Sequence, residues 1–243
     1  MSVDITGAEI LFRLPLGIVI TETQVNMWIV MLVIAMLCKY LTSNLKIKPE
    51  GKRQVIAEYI VNLANKFIKD NMGPGFKNFP PFIAALFSIS LFSSLLGLLG
   101  MYPPTADLNT TLGWAVVVFI LILYYKFKTN GFGGYFKGLM EPLPILAPFN
   151  LIGEFSTPIS MAIRLFGNIS TGVVISALVY AALAWLSGVV FQWLPGTLAN
   201  IPYLQLGLPA ILSLYFDIFS SVLQSFVFCM LTILYISQAS TKE

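Results

Sequence analysis

The sequence predicts an all-α integral membrane protein: five transmembrane helices plus one amphipathic surface helix, in a single membrane domain over 1–243. Three observations carry this. The chain is 57% hydrophobic and 10% charged, whereas soluble domains carry about 25% charged residues. Its apolar residues fall in uninterrupted runs of the length that crosses a bilayer. Its lysines and arginines collect in alternate connections between those runs.

The elements follow in order. Residues 1–22 form an external N-terminal segment carrying Asp4 and Glu9. It lacks the basic start of a cleaved signal peptide, its one basic residue being Arg13, so Met1 is expected to be retained and the first span to serve as the insertion signal. Residues 23–41 are that span, with Trp28 and Tyr40 suited to its two interfaces. Residues 51–71 are the surface helix: Ile56, Ile60, Leu63 and Phe67 share one face, and Lys52, Arg53, Glu58, Lys66 and Lys69 populate the rest. A soluble helix that docks a partner is the alternative for this stretch. Gly73-Pro74-Gly75 ends it.

The second span is 79–101, entered through Pro80-Pro81, with Ser88, Ser90, Ser93, Ser94, Gly97 and Gly100 permitting close helix packing. The third is 111–126, followed by Lys126, Lys128, Lys137 and a turn at Gly131, Gly133 and Gly134. Pro142, Pro144 and Pro148 then predict an irregular connector at the interface or re-entrant. The fourth element, 150–186, and the last, 207–237, exceed the roughly 20 residues of an upright span and are expected to tilt strongly. Pro158 predicts a kink, and 187–206 an external turn.

Orientation follows from the basic residues. The connection after the first span holds Lys39, Lys46, Lys48, Lys52, Arg53, Lys66, Lys69 and Lys77, and the C-terminal tail holds Lys242. The connections after the second and fourth spans hold none. The positive-inside rule places the N-terminus outside and the C-terminus in the cytoplasm. There is no histidine, which excludes His-ligated haem and His-based proton relays. Cys38 and Cys229 each lie in an apolar run and are expected as small buried packing residues, so no disulfide, metal or cofactor framework is expected.

One residue violates the apolar pattern. Arg164 lies inside the fourth run, and the nearest charge is Glu154, ten positions upstream. Ten helical residues are about 15 Å, half a bilayer core. A guanidinium at that depth costs about 2.5–3.5 kcal/mol on insertion scales, so it calls for a polar cavity or a carboxylate partner. Asn168 and Thr171 fall on its face at helical spacing. The last run returns with Asp217, Ser220, Ser221, Gln224 and Ser225. Polar groups on both sides of one fixed positive charge suit ion translocation: carboxylates take up and release a cation, and the arginine repels one that would pass straight through. A structural Arg–Asp pair and an arginine reaching for the interface are the readings without function.

Arg164-Leu-Phe-Gly-Asn-Ile169 inside a long apolar segment resembles the signature of subunit a of the bacterial F-type rotary ATP synthases. Pro104-Thr-Ala-Asp-Leu-Asn109, Glu154-Phe155 and Leu223-Gln-Ser-Phe-Val-Phe228 resemble it too. The resemblance implies a stator channel in the cell membrane beside a rotating c-ring, with b subunits and the remaining synthase subunits as partners and no nucleic acid. Two offset half-channels would carry H+ to and from a ring carboxylate, with Na+ the alternative ion. It assigns Arg164 the separation of the half-channels, Gln224 the position facing it, and Glu154, Asn168 and Asp217 places on the ion path. Two positions depart from the family pattern: Val173 stands where many members have a glutamate, and Asp217 where many have a histidine. No phosphate-binding loop of the Gly-x-x-x-x-Gly-Lys-[Ser/Thr] type is present, so ATP chemistry is expected on other subunits. A secondary transporter is the rival class, but no internal repeat supports it.

Overall fold

The computed structural model describes residues 7–13, 15, 17, 19–43, 45–47, 51–141, 143–190 and 214–241, with the backbone alone at 214, 216 and 217. Among these residues five helices are long and apolar enough to cross a membrane. A short antiparallel hairpin, β1 (Ile10–Arg13) and β2 (Val19–Thr21), precedes them. Sequence reading did not anticipate it, because its strands are only a few residues long and their apolar side chains remain exposed.

The first helix, α1 (Glu22–Thr42), is built inside out. Its buried residues are Thr23, Asn26 and Val30, while Trp28, Leu32, Met36 and Leu37 are exposed. Water would oppose that pattern, and lipid favours it. Cys38 is exposed on this helix, not buried as expected. The amphipathic helix α2 (Lys52–Met72) follows. Gln54 anchors its start by accepting from the Lys46 N–H at 3.0 Å and donating to the Lys46 carbonyl at 2.6 Å. Arg53 stacks over the Tyr40 ring at 4.2 Å, tying α2 to the end of α1. Ile56, Tyr59, Ile60 and Leu63 are exposed, whereas Ile68 and Met72 enter the core.

The helix α3 (Pro80–Leu95) carries proline in its first turn, where no N–H is needed, and tightens into a 3-10 turn over Leu96–Leu99. Gly100 at φ 73° supplies the left-handed residue that ends it. The next helix, α4 (Leu108–Met140), is capped by Asp107, whose carboxylate accepts from the Asn109 N–H at 2.9 Å. The expected turn after the third span is confined to Gly131, at φ 68° and ψ 173°, and helix resumes beyond it to Met140. Glycines at 133, 134 and 138 hide that segment from propensity. Tertiary contacts hold it instead: Phe127 lies 4.7 Å from the rings of both Phe132 and Tyr135.

The proline-rich connector is shorter than expected. One 3-10 turn, Pro144–Leu146, leads directly into α5 (Ala147–Val190), a helix of 44 residues with Pro158 in its interior. Pro148 is tolerated because it lies in the first turn. The helix extends past 186, so the expected external turn at 187–206 begins as helix; its part from 191 on lies outside the described residues. The chain is described again from a π-helical turn, Leu214–Phe219, which feeds α6 (Ser220–Ala239). The core joins five helices: Ile68 and Met72 of α2, Ile83 of α3, Val118 and Ile122 of α4, Met161 and Leu165 of α5, and Phe228, Ile233 and Ile236 of α6.

Candidate functional site

The helices α5 and α6 pack side by side, and one hydrogen bond sets their register. Asn168 Nδ2 donates to Ser220 Oγ at 2.6 Å. Thr157 and Glu154, earlier in α5, share a cavity with Tyr235 and Gln238, later in α6. Falling numbers on α5 therefore meet rising numbers on α6, so the pair is antiparallel. One turn from the Asn168–Ser220 bond, this register brings Arg164 level with Gln224. About 1.5 Å per residue then separates the levels along the axis, which puts Glu154 about 15 Å away from Arg164 toward one end.

Arg164 and Asn168 are exposed on α5, while their neighbours Met161 and Leu165 are buried in the core. The exposed line continues through Thr171, Ile175 and Leu178 at helical spacing. Arg164 has no hydrogen bond or ion pair among the described residues. Gln224 is buried, at 6% exposure, and makes no hydrogen bond to Arg164. Asp217 falls in the π-helical turn, and its side chain lies outside the described residues. Such turns often mark functional positions in helices.

Glu154 is not a free carboxylate. Lys126 Nζ donates to Oε1 at 2.6 Å, and the Tyr135 hydroxyl donates to Oε2 at 2.7 Å. The Glu154 side chain is 7% exposed and that of Lys126 36%. Gly131 makes the arrangement possible, because the break at that glycine redirects the end of α4 so that Tyr135 reaches α5. A cavity of about 350 Å³ surrounds the cluster, lined also by Asn130, Asn150, Thr157, Gln238 and Thr241. Sequence reading placed Lys126 among loop charges and gave Tyr135 no role. A contact between residues 28 apart leaves no local signal.

At the opposite end of the helices, the Pro104–Asn109 segment is tied to α1 and α3. Thr23 Oγ1 donates to Asp107 Oδ2 at 2.9 Å, and Asn26 Nδ2 donates to the Tyr102 carbonyl at 2.9 Å. The buried hydroxyls continue inward: Thr105 with Ser94 at 3.1 Å, Ser94 to the Ser90 carbonyl at 2.9 Å, and Ser90 with Ser225 at 3.0 Å. Ser221 Oγ, one turn from Ser225, is buried without a partner among the described residues. Burial and the Asp107 and Glu22 carboxylates hold the Tyr102 phenol above its ordinary pKa.

The chain matches the family model described as ATP synthase A chain over residues 24–237. It is 37% identical over 236 residues to a protein of Propionigenium modestum named ATP synthase subunit a, sodium ion specific, covering 90% of this chain and 74% of the relative. It is 32% identical over 226 residues to ATP synthase subunit a of Desulforamulus reducens, covering 91% and 80%. It is 33% identical over 243 residues to ATP synthase subunit a 1 of Crocosphaera subtropica, covering 99% and 96%.

Proposed function

Because the chain belongs to the subunit a family of the F-type ATP synthases, we propose that it forms the stator ion channel of that complex, with Arg164 separating two offset half-channels. The observation that carries this reading is the exposure of Arg164 at mid-helix. A guanidinium facing hydrocarbon is costly. None of the described residues neutralises this one, and a partner carrying a carboxylate would cover it. A rotating c-ring with an ionisable carboxylate at mid-membrane is such a partner.

In this reading an ion enters from outside near Asp217, passes Asn168, and neutralises a ring carboxylate. The ring turns, and the ionised carboxylate meets Arg164 opposite Gln224. The ion leaves toward Glu154 on the inner side. The N-terminus lies outside and the C-terminus in the cytoplasm of the cell membrane. ATP chemistry resides on other subunits, and b subunits complete the stator.

The ion moved is H+. The groups at the level of Arg164 and one turn from it are neutral hydrogen-bonding side chains, Gln224, Asn168 and Ser220, which with water suffice to relay a proton. Sodium transport is the second reading, favoured by similarity to the Propionigenium modestum protein. ATP-driven uptake by vesicles holding the purified complex, with sodium present and absent, tests both. Uptake without sodium supports the proton. Strict dependence on sodium transfers the same residues to the second reading. Purification without a ring or soluble catalytic subunits would refute the stator itself.

A further inference from the structure

We propose that Lys126 and Tyr135 latch Glu154, so that a tethered ammonium occupies the place a monovalent cation would otherwise take in the inner vestibule. The inference rests on the stator reading and deepens it. A lone carboxylate lining an ion path binds the cations that pass. With an ammonium at 2.6 Å on one oxygen and a hydroxyl at 2.7 Å on the other, both oxygens of Glu154 are engaged. The carboxylate is nearly closed to solvent while its lysine remains partly exposed at the wall of the 350 Å³ cavity.

The latch joins three helical segments. Lys126 comes from α4 before the Gly131 break, Tyr135 from α4 after it, and Glu154 from α5. The rest of the polar lining is neutral: Asn130, Asn150, Thr157, Gln238 and Thr241. Among the described residues the vestibule therefore presents hydrogen-bonding groups with no uncompensated negative charge, and an ion released at the Arg164 level crosses it without being held. Lys126 acts here as a positioning residue on the inner path. Retention of ions and bracing of α4 against α5 give different responses to sodium.

The experiment is ATP-driven transport by the complete complex in vesicles whose ATP-accessible face is titrated with sodium chloride against choline chloride. In Lys126→Gln the freed carboxylate retains sodium, and the rate responds to about tenfold lower sodium than in the wild type. That response is inhibition if protons are moved, and a lowered KM with a lowered kcat if sodium is. Lys126→Arg restores the wild-type sodium response, and Lys126→Gln combined with Glu154→Gln loses the shift whatever its rate. Should Lys126→Gln not assemble, Tyr135→Phe frees one carboxylate oxygen without uncovering a whole charge, and a smaller shift in the same direction is expected. A rate lowered by one factor at every sodium concentration, or a shift that persists in the double variant, overturns the latch. Arg164→Ala is run alongside. If it still transports, the stator reading itself has failed, independently of Lys126.

Discussion

The sharpest consequence of the geometry concerns leakage through Arg164→Ala. Among the described residues the wild-type arginine has no charged neighbour at its level, and Glu154, about 15 Å distant along the helix, is already paired with Lys126. In the proposed stator reading, a cation that tried to cross directly between half-channels would pass within about 4 Å of the guanidinium. At an effective dielectric of about 20 the repulsion there is about 4 kcal/mol, whereas a charge 15 Å away contributes only about 1 kcal/mol. Four kcal/mol is about a thousandfold in rate. Removing the guanidinium should therefore raise passive ion flux by up to about a thousandfold while abolishing ATP-driven uptake. The assay imposes a potential across vesicles holding the complex and records flux without ATP, then uptake with ATP. Arg164→Lys keeps the charge and should keep the flux low while transport falls, because an ammonium lacks the planar fork of arginine. Vesicles with Arg164→Ala that stay tight and pump normally would refute the argument. Equal amounts of assembled complex in both preparations exclude a trivial loss.

Other expectations test separate parts of the structure. Asp217→Asn should slow uptake when ions are supplied from the outer side only, and an unchanged initial rate would move the outer path elsewhere. Gly131→Ala forces a side chain into φ 68°, which costs about 1–2 kcal/mol; the melting temperature of the purified complex should fall, and an unchanged value would mean the break relaxes freely. The raised pKa of Tyr102 gives a pH dependence with a definite sign. The folded phenol holds its proton more tightly than the unfolded one, so the stability it contributes is complete below about pH 10, the ordinary tyrosine value, and is lost as pH rises further. Tyr102→Phe should blunt that alkaline loss in thermal melts, and an identical pH profile would show that the phenol does not titrate there.

The membrane architecture was legible because lipid imposes a simple code. A helix that faces hydrocarbon must be apolar over its length, so α1, α3, α4, α5 and α6 announce themselves as runs. What lipid does not dictate was harder to read. The segment of α4 after Gly131 is held by Phe127 and by Glu154, while its own glycine-rich sequence reads as a turn. The helix α5 outlasts its expected end at 186 because nothing in Ser187–Val190 stops it. At the candidate site, Arg164 stood out because a charge in an apolar run is costly. The Asn168–Ser220 bond and the Lys126–Tyr135 clasp on Glu154 left no such mark, since each joins residues remote in sequence through ordinary polar side chains.

The distribution of charge along α5 has its own logic. A fixed cation separates two ion paths only if its own chain leaves it uncompensated, so a carboxylate beside Arg164 would defeat the purpose. In the proposed orientation, the structure meets this condition on the inner side by giving Glu154 a different partner, Lys126. On the outer side, Val173 places no charge on α5 itself. The α5–α6 register brings the Asp217 backbone near the level of Thr171, about 10 Å from Arg164 along the axis. Interaction at that distance is about 1.7 kcal/mol at an effective dielectric of 20, less than half that of a contact pair. In the proposed reading, a carboxylate at that separation would gather a cation from the outer side and still leave the arginine available to the mobile carboxylate of a partner. Bringing a fixed carboxylate to Arg164 should therefore be more harmful than removing Asp217. Ser220→Asp, one turn from Gln224, is predicted to suppress ATP-driven uptake more strongly than Asp217→Asn in the same vesicles. The opposite order would mean that compensation of Arg164 within the chain is tolerated.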